Sequence, residues 1–404
     1  MKILFVAPYV PSRIRVRPFQ FIKELAARHE VYVVALGEVD GAETQVSEEL
    51  SRLVKNFQVV RHSRIRGLAQ ALAALPTAVP MCAAFCWSSL MTRAVQELVS
   101  VVGFDVVHIE HLRAAHFAFA CSGLPVVFDA VDCLTGLFGQ MRRSKRNPIG
   151  RLVMTEETWK LRRYEPRMLS RFDRVIVTSN SESREFCSLD PTLRIDVLPN
   201  GVDTEYFAPR GVQRALHRVV FSGKMSFDPN VQAALWFAEN VYGALRARHA
   251  DAEFLIVGSD PPTEVKKLCA IPGVTVTGYV DDIRPYLDSS SVAVAPMQVA
   301  AGIQNKVLEA MAMGLPVVAT PIATRAFGKN CPGIIEAADA QEMIDNVSAL
   351  MGDSGLAARI GQCGREEVLR NYSWRSSVDR LERIYQDAIS ERAARTGGQH
   401  EHDP

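Results

Sequence analysis

The chain has 404 residues, with 46 basic and 45 acidic side chains and a formal net charge of +1. That length suits two or three domains with cores of their own, and 48% hydrophobic against 23% charged residues excludes a disordered or collagen-like chain. The near-neutral balance argues against a dedicated nucleic-acid binder. The eight cysteines include no Cys-x-x-Cys pair, so neither a zinc ribbon nor a redox motif fits and a reducing cytoplasm does.

Apolar runs alternate with helical patterns, the signature of a doubly wound α/β architecture. Residues 2–7 read as a first strand, too short an apolar run for a signal peptide. A helix over 19–28 puts Phe19, Ile22, Leu25 and Ala26 on one face, and a strand follows over 30–36. Between Arg66 and Arg93 no residue is charged, a length that spans a bilayer. Pro76 and Pro80 break its middle, so the stretch is expected to fold as helix–turn–helix. Val/Ile-rich runs at 106–109, 126–128 and 174–178 continue a buried parallel sheet.

The turn-rich segment 196–209, centred on Asn200-Gly201, interrupts the pattern, which then restarts. Strands are expected at 218–222, 252–258, 274–277, 292–295 and 316–319, and helices at 230–248, 265–270, 283–289 and 304–313. This places one domain at 1–190, a junction at 191–210 and a second domain at 211–372. A last helix lies within 373–395, and a polar tail at 396–404 is expected to be disordered.

In open parallel sheets ligands bind where the carboxyl ends of strands open into loops. The loop after strand 292–295 leads into a helix through Gly302-Ile303-Gln304-Asn305-Lys306. Glycine allows close backbone approach, the first N–H groups of a helix attract anions, and Lys306 adds a full charge there. Glu309 follows three residues on, along the same face. The plain alternative is a surface helix carrying a Lys306–Glu309 ion pair.

This segment, with Pro316-Val317-Val318-Ala319-Thr320 after it, resembles the donor-site signature of GT-B retaining glycosyltransferases of family 4. Residues 199–207, Phe221-Ser222-Gly223-Lys224 and Gly278-Tyr279-Val280-Asp281-Asp282 resemble further family segments in the same order. The Phe227-Asp228-Pro229-Asn230 and 302–309 details are most similar to a bacterial polysaccharide-associated subgroup. The resemblance implies two Rossmann-like domains facing a cleft, with a last helix crossing back to the first domain. It implies a UDP- or GDP-sugar donor on the second domain, a glycan, lipid-linked or small-molecule acceptor on the first, retention of configuration, and no metal or other cofactor. Carried over by position, Glu309 takes the ribose hydroxyls, and Lys306 and Lys224 face the diphosphate. Gly223 belongs to the phosphate loop. Gly302, Ile303, Gln304 and Asn305 present backbone groups, and Tyr279 and Val280 lie along the base. Many relatives carry a glutamate where this chain has Ala301, and a glycine pair where its first loop has Arg13, Arg15 and Arg17.

Those three arginines meet a diphosphate or an acidic acceptor, or are simply solvated. Glu110 and His111, at the end of strand 106–109, are candidates for orienting the acceptor hydroxyl, which makes them catalytic candidates with Lys306. Strand alternation turns His108 into the core, and His108, His111 and His116 lack the ligand set of a metal site. Asp129 and Asp132 line the same edge or cap the next helix. The basic run from Arg142 through Lys145, Arg146, Arg151, Lys160, Arg162, Arg163, Arg167 and Arg171 to Arg174 is interleaved with Leu152, Met154, Trp159 and Tyr164. It suits peripheral contact with an anionic membrane from the cytoplasmic side, or a helix face paired to Glu156, Glu157 and Glu165. Residues 1–190 hold 25 basic and 19 acidic side chains, and residues 191–404 hold 21 and 26. The expectation is a metal-independent retaining transferase that binds no nucleic acid. The alternatives are a GT-B nucleotide-sugar epimerase or hydrolase and an inactive sugar-nucleotide-binding module.

Overall fold

The computed structural model describes residues 1–12, 15–37, 49–144, 147–300, 302–328 and 330–397. Two compact units emerge. One runs from Met1 to Pro199 and includes the chain from Trp374 onward; the other is Asn200–Ser373.

The first unit is built on a seven-stranded sheet of order β3-β2-β1-β4-β5-β6-β7. Its strands are β1 (Lys2–Ala7), β2 (Glu30–Gly37), β3 (Asn56–Arg61), β4 (Val106–Glu110), β5 (Val126–Val131), β6 (Arg174–Val177) and β7 (Ile195–Val197). All pairings are parallel. Helices α1 (Val16–Ala26), α2 (Arg64–Ala73), α3 (Met81–Ala84), α4 (Ser89–Val101), α5 (Leu134–Ser144), α6 (Pro148–Leu169) and α7 (Asn180–Leu189) connect them. The uncharged stretch 67–92 is thus broken into short helices. Among the described residues no helix is long and apolar enough to cross a membrane.

The second unit repeats the plan with six parallel strands, ordered β10-β9-β8-β11-β12-β13. These are β8 (Arg218–Ser222), β9 (Glu253–Val257), β10 (Val274–Val276), β11 (Val292–Ala295), β12 (Val317–Ala319) and β13 (Ile334–Glu336). Its helices are α8 (Asp228–Phe237), α9 (Gly243–Arg248), α10 (Thr263–Lys266), α11 (Arg284–Asp288), α12 (Asn305–Ala312), α13 (Pro321–Thr324), α14 (Ala340–Gly352) and α15 (Ser354–Asn371). The helix expected over 230–248 is interrupted by a π-helical segment, Ala238–Tyr242.

The last helix, α16 (Trp374–Gly397), belongs to the first unit. Trp374, Val378, Leu381, Tyr385 and Ala388 enter the core formed by Phe5, Phe19, Phe21 and Ile22. Trp374 meets Phe21 edge-on at 5.6 Å. Polar pins flank this seam: Arg28 pairs with Asp379 at 2.6 Å, and Arg174 with Glu391 at 2.9 Å.

Candidate functional site

Both sheets reverse their winding at one place, between β8 and β11 in the second unit and between β1 and β4 in the first. There the loops leave in opposite directions and a crevice opens at the carboxyl ends.

In the second unit, Gly223 follows β8. Its N–H donates to the Val257 carbonyl at 3.0 Å, and the Met225 N–H to the Ser259 carbonyl at 2.8 Å. These bonds join the loop after β8 to the loop after β9. The approach is so close that a Cβ on Gly258 would lie 1.8 Å from the Gly223 carbonyl oxygen. Lys224 is exposed, 3.9 Å from Asp260.

Helix α12 starts just after β11, with Gln304 as its N-cap and no side-chain cap on its first N–H groups. A helix start of this kind attracts anions. Gly302 takes a positive φ of 56° at the approach, and Asn200 Nδ2 donates to Asn305 Oδ1 at 2.9 Å. Lys306 lies in the first turn. Its Nζ donates to Asn230 Oδ1 at 3.0 Å, and Asn230 Nδ2 donates to the Lys224 carbonyl at 2.9 Å. Asn230 thus joins the lysine of α12 to the loop after β8. Burial lowers the Lys306 pKa to about 8, against the pull of Glu309. Burial raises Glu309 to about 7, against the pull of Lys306. Among the described residues Glu309 makes no ion pair with Lys306, and no protein group donates to its carboxylate. The plain surface pair is therefore absent. Tyr279 follows β10, two strands along from β8, roughly 10 Å at ordinary strand spacing. Its ring is exposed, while Val280 packs on the core.

In the first unit, β4 ends at the buried Glu110. The Tyr9 hydroxyl, just after β1, donates to Glu110 Oε1 at 2.8 Å. Burial first, then Asp129, pushes the Glu110 pKa up to about 8. His111 follows with φ 65° and ψ 146°, a region that costs roughly 1–3 kcal/mol for a residue with a Cβ. Its Nδ1 accepts the Arg113 N–H at 3.2 Å, which leaves the ring proton on Nε2. Burial and Arg113 lower its pKa to about 3, so the ring stays neutral. Val131, at the end of the neighbouring strand, also has a positive φ, 63°.

Two expectations need correction. Arg17 and Asp129 were candidates for ligand contact, but both are buried. Arg17 Nε donates to Asp129 Oδ2 at 2.7 Å and its NH1 to the Leu198 carbonyl at 3.0 Å. Their charges are spent on each other. Only Arg15 among the described arginines of this loop is exposed, with its guanidinium 4.1 Å over the Tyr9 ring. Arg13 and Ala301 lie outside the described residues, as do Lys145, Arg146 and the tail after residue 397. His108 is a core residue: it stacks on Phe5 and its Nδ1 lies 2.8 Å from the Tyr385 hydroxyl.

Tyr9, Asn230 and Gly258 join the sites without having been singled out in the sequence. Asn230 stood inside a motif quoted for another reason. Gly258 carried a signal, a glycine directly after a parallel strand. Cys133, Glu182 and Glu185 have ligand-capable atoms within 4.8 Å of one another. Glu182 already accepts the Cys133 N–H, and burial pushes the Cys133 thiol well up. A thiol held protonated is a poor metal ligand.

Residues 16–206 match the sequence pattern of Glycosyltransferase Family 4, and residues 217–353 that of Glycosyl transferases group 1. An MMP alpha-(1->4)-mannosyltransferase of Mycolicibacterium hassiacum is 27% identical over 50% of this chain and 50% of its own. A UDP-Gal:alpha-D-GlcNAc-diphosphoundecaprenol alpha-1,3-galactosyltransferase of Escherichia coli is 26% identical over 53% of this chain and 60% of its own. The chain thus spans half to three fifths of the length of these relatives. A sucrose-phosphate synthase from Thermosynechococcus elongatus superposes with a TM-score of 0.71, covering 97% of this chain and 100% of that one at 16% identity. That likeness speaks for the fold. With the two family patterns meeting near the boundary between two Rossmann-like units, the chain belongs to the family 4, group 1 glycosyltransferases of GT-B fold.

Proposed function

We propose that the chain transfers a sugar from a UDP- or GDP-sugar to a hydroxyl of a glycan or lipid-linked acceptor. Retention of configuration and independence of metal are part of the proposal. The observation that carries it is the grouping around Lys306. A half-buried ammonium, an uncapped helix start and the Gly223–Lys224 loop converge beside a carboxylate to which, among the described residues, no protein group donates. The cationic part suits a diphosphate, and Glu309 suits the paired hydroxyls of a ribose. As the glycosidic bond breaks, negative charge grows on the leaving diphosphate. Lys306 and the α12 N–H groups are oriented before that charge develops, so they stabilise the transition state more than the ground state. Lysine and helix dipole then do the work that a divalent cation does elsewhere.

The first unit supplies groups suited to an acceptor. Glu110 carries a proton near neutrality and His111 is a neutral ring with its proton on Nε2. Such groups orient a hydroxyl by hydrogen bonding without an added net charge. The Escherichia coli relative is named for a UDP-galactose donor and a GlcNAc-diphosphoundecaprenol acceptor, which supports the donor class and a lipid-linked acceptor.

The test is a titration of UDP- and GDP-sugars against the parent, Glu309→Ala and Lys306→Ala. Binding of one nucleotide should raise the melting temperature of the parent by mass action. Each hydrogen bond to a charged group contributes roughly 1.5–3 kcal/mol, so Glu309→Ala should weaken binding at least about tenfold. Lys306→Ala should lower turnover, and chelators should leave it unchanged. Parent-like binding and transfer by both variants would remove this site assignment. Sugar release or epimerisation without an acceptor would point to the epimerase or hydrolase reading.

A further inference from the structure

Helices α2 and α6 of the first unit carry their apolar rows outward. On α2, Ile65, Leu68 and Leu72 are 83%, 58% and 55% exposed, at helical spacing on one side. The buried side of that helix holds only Gly67 and Ala71. On α6, Ile149, Leu152 and Trp159 are 73%, 71% and 54% exposed. Soluble surfaces rarely leave apolar side chains of this size in rows. The two helices are joined at one point: Lys160 Nζ, from α6, donates to the carbonyls of Ala74 and Leu75 just past the end of α2, at 3.0 and 2.8 Å.

Charge on α6 is sorted by side. Glu157 is buried and accepts the N–H groups of Met81 and Cys82. Glu165 is buried and accepts those of Leu134 and Thr135. Glu156 pairs with Lys160. All three acids of the helix are therefore engaged inside the fold or with a buried lysine. Arg151, Arg162, Arg163 and Arg167 are exposed, and among the described residues no carboxylate pairs with them. Arg163 instead lies 3.9 Å over the exposed Trp159 ring. Helix α2 has no acidic residue at all.

We propose that α2 and α6 together form a docking face for an anionic lipid bilayer. The leucines, isoleucines and the indole enter the interfacial region while the arginines meet lipid phosphates. Charge complementarity selects this occupant: a face of arginines and aliphatic side chains whose one partly exposed acid, Glu156, is paired to the buried Lys160 matches an anionic headgroup layer over hydrocarbon. A second copy of the chain would set these arginines against each other. The proposal rests on this surface alone and stands apart from the donor-site reading.

The experiment is flotation of the full chain with vesicles of phosphatidylcholine, with and without phosphatidylglycerol. The parent should float with the anionic vesicles, and high salt should weaken the association by screening. Paired Leu68→Ser and Leu152→Ser changes, both at exposed positions, should weaken partitioning at least about tenfold, given the contribution of buried apolar area. Paired Arg162→Glu and Arg163→Glu changes should abolish the preference for phosphatidylglycerol. Melting curves and nucleotide-sugar titration on the same variants should match the parent. Absence of flotation, or parent-like flotation by both pairs, overturns the proposal. So does a parent that ignores vesicles and dimerises through this face, with dimers lost in the leucine pair. A parent that binds nucleotide-sugar yet fails to float would sink this inference alone.

Discussion

Gly258→Ala tests the proposed donor site most directly, because its effect follows from geometry. The new Cβ would sit 1.8 Å from the Gly223 carbonyl oxygen and 2.8 Å from the Gly223 carbonyl carbon. Real Cβ atoms essentially never come within 3.0 Å, so the Gly223–Lys224 backbone must retreat by about 1.2 Å or more. Neither partner is a flexible side chain, so the movement falls on the loop that Asn230 ties to Lys306. Overpacking of this kind costs roughly 1–3 kcal/mol of stability. A displacement near 1 Å at a reacting centre costs on the order of a hundredfold in rate. The expected variant is folded, slightly less stable in urea, and reduced about a hundredfold in kcat/KM for sugar transfer. Gly243→Ala serves as the control. A Cβ there meets nothing within 4 Å and the residue is helical, so the variant should keep parental turnover. It should gain roughly 0.4–1 kcal/mol through reduced unfolded-state entropy. Parental transfer by Gly258→Ala at a matched loss of stability would refute a role for the Gly223–Lys224 loop.

The buried Arg17–Asp129 pair yields a second outcome. Arg17→Met strands a carboxylate in the core and should cost roughly 3–5 kcal/mol in urea unfolding, whereas a double change with Asp129→Leu should recover much of that loss. Donor affinity should peak between about pH 7 and 8, because protonation of Glu309 weakens it below and deprotonation of Lys306 weakens it above. A nucleotide-sugar is the right probe, since its diphosphate diester does not titrate there; a flat profile would exclude both groups. Glu110 has a folded pKa near 8, raised from 4.5. Its contribution to stability is full below the unfolded value and is lost as pH rises through the folded one. Glu110→Gln should therefore unfold less readily than the parent by a few kcal/mol, about 3–5, near pH 9.

The strand–helix alternation and the break near residue 200 were legible because buried parallel strands are short runs of valine and isoleucine. Strands β3, β7 and β13 escaped notice for the opposite reason. Asn56–Arg61 is a partly exposed edge strand, and Ile195–Val197 and Ile334–Glu336 are three residues each. The interruption at Ala238–Tyr242 leaves no mark in the hydrophobic pattern of 230–248. Lys306 and Glu309 stood out because helix start, charge and spacing coincide within eight residues. The role of Asn230 depends on two loops meeting across the sheet, which no local pattern encodes. Arg17 shows the reverse failure. A loop with three arginines reads as solvated or ligand-facing, and nothing local reveals that one of them reaches Asp129, far along the chain.

The two units share a topology and diverge in the chemistry placed at the point of reversal. At the end of β8 and the start of α12 the second unit concentrates positive charge and lowers the pKa of its lysine by burial. Near the ends of β1 and β4 the buried groups of the first unit carry no net charge. Arg17 and Asp129 cancel, Glu110 holds its proton and His111 is neutral. A fixed charge at an acceptor would bind a charged group, and would also tie up a hydroxyl before it could react. The strained backbone at His111 and Val131 is intelligible in the same way. Each turns the chain sharply at a strand end, and the ordered core beneath, with Tyr385 pinned to His108, supplies the stability that such geometry costs.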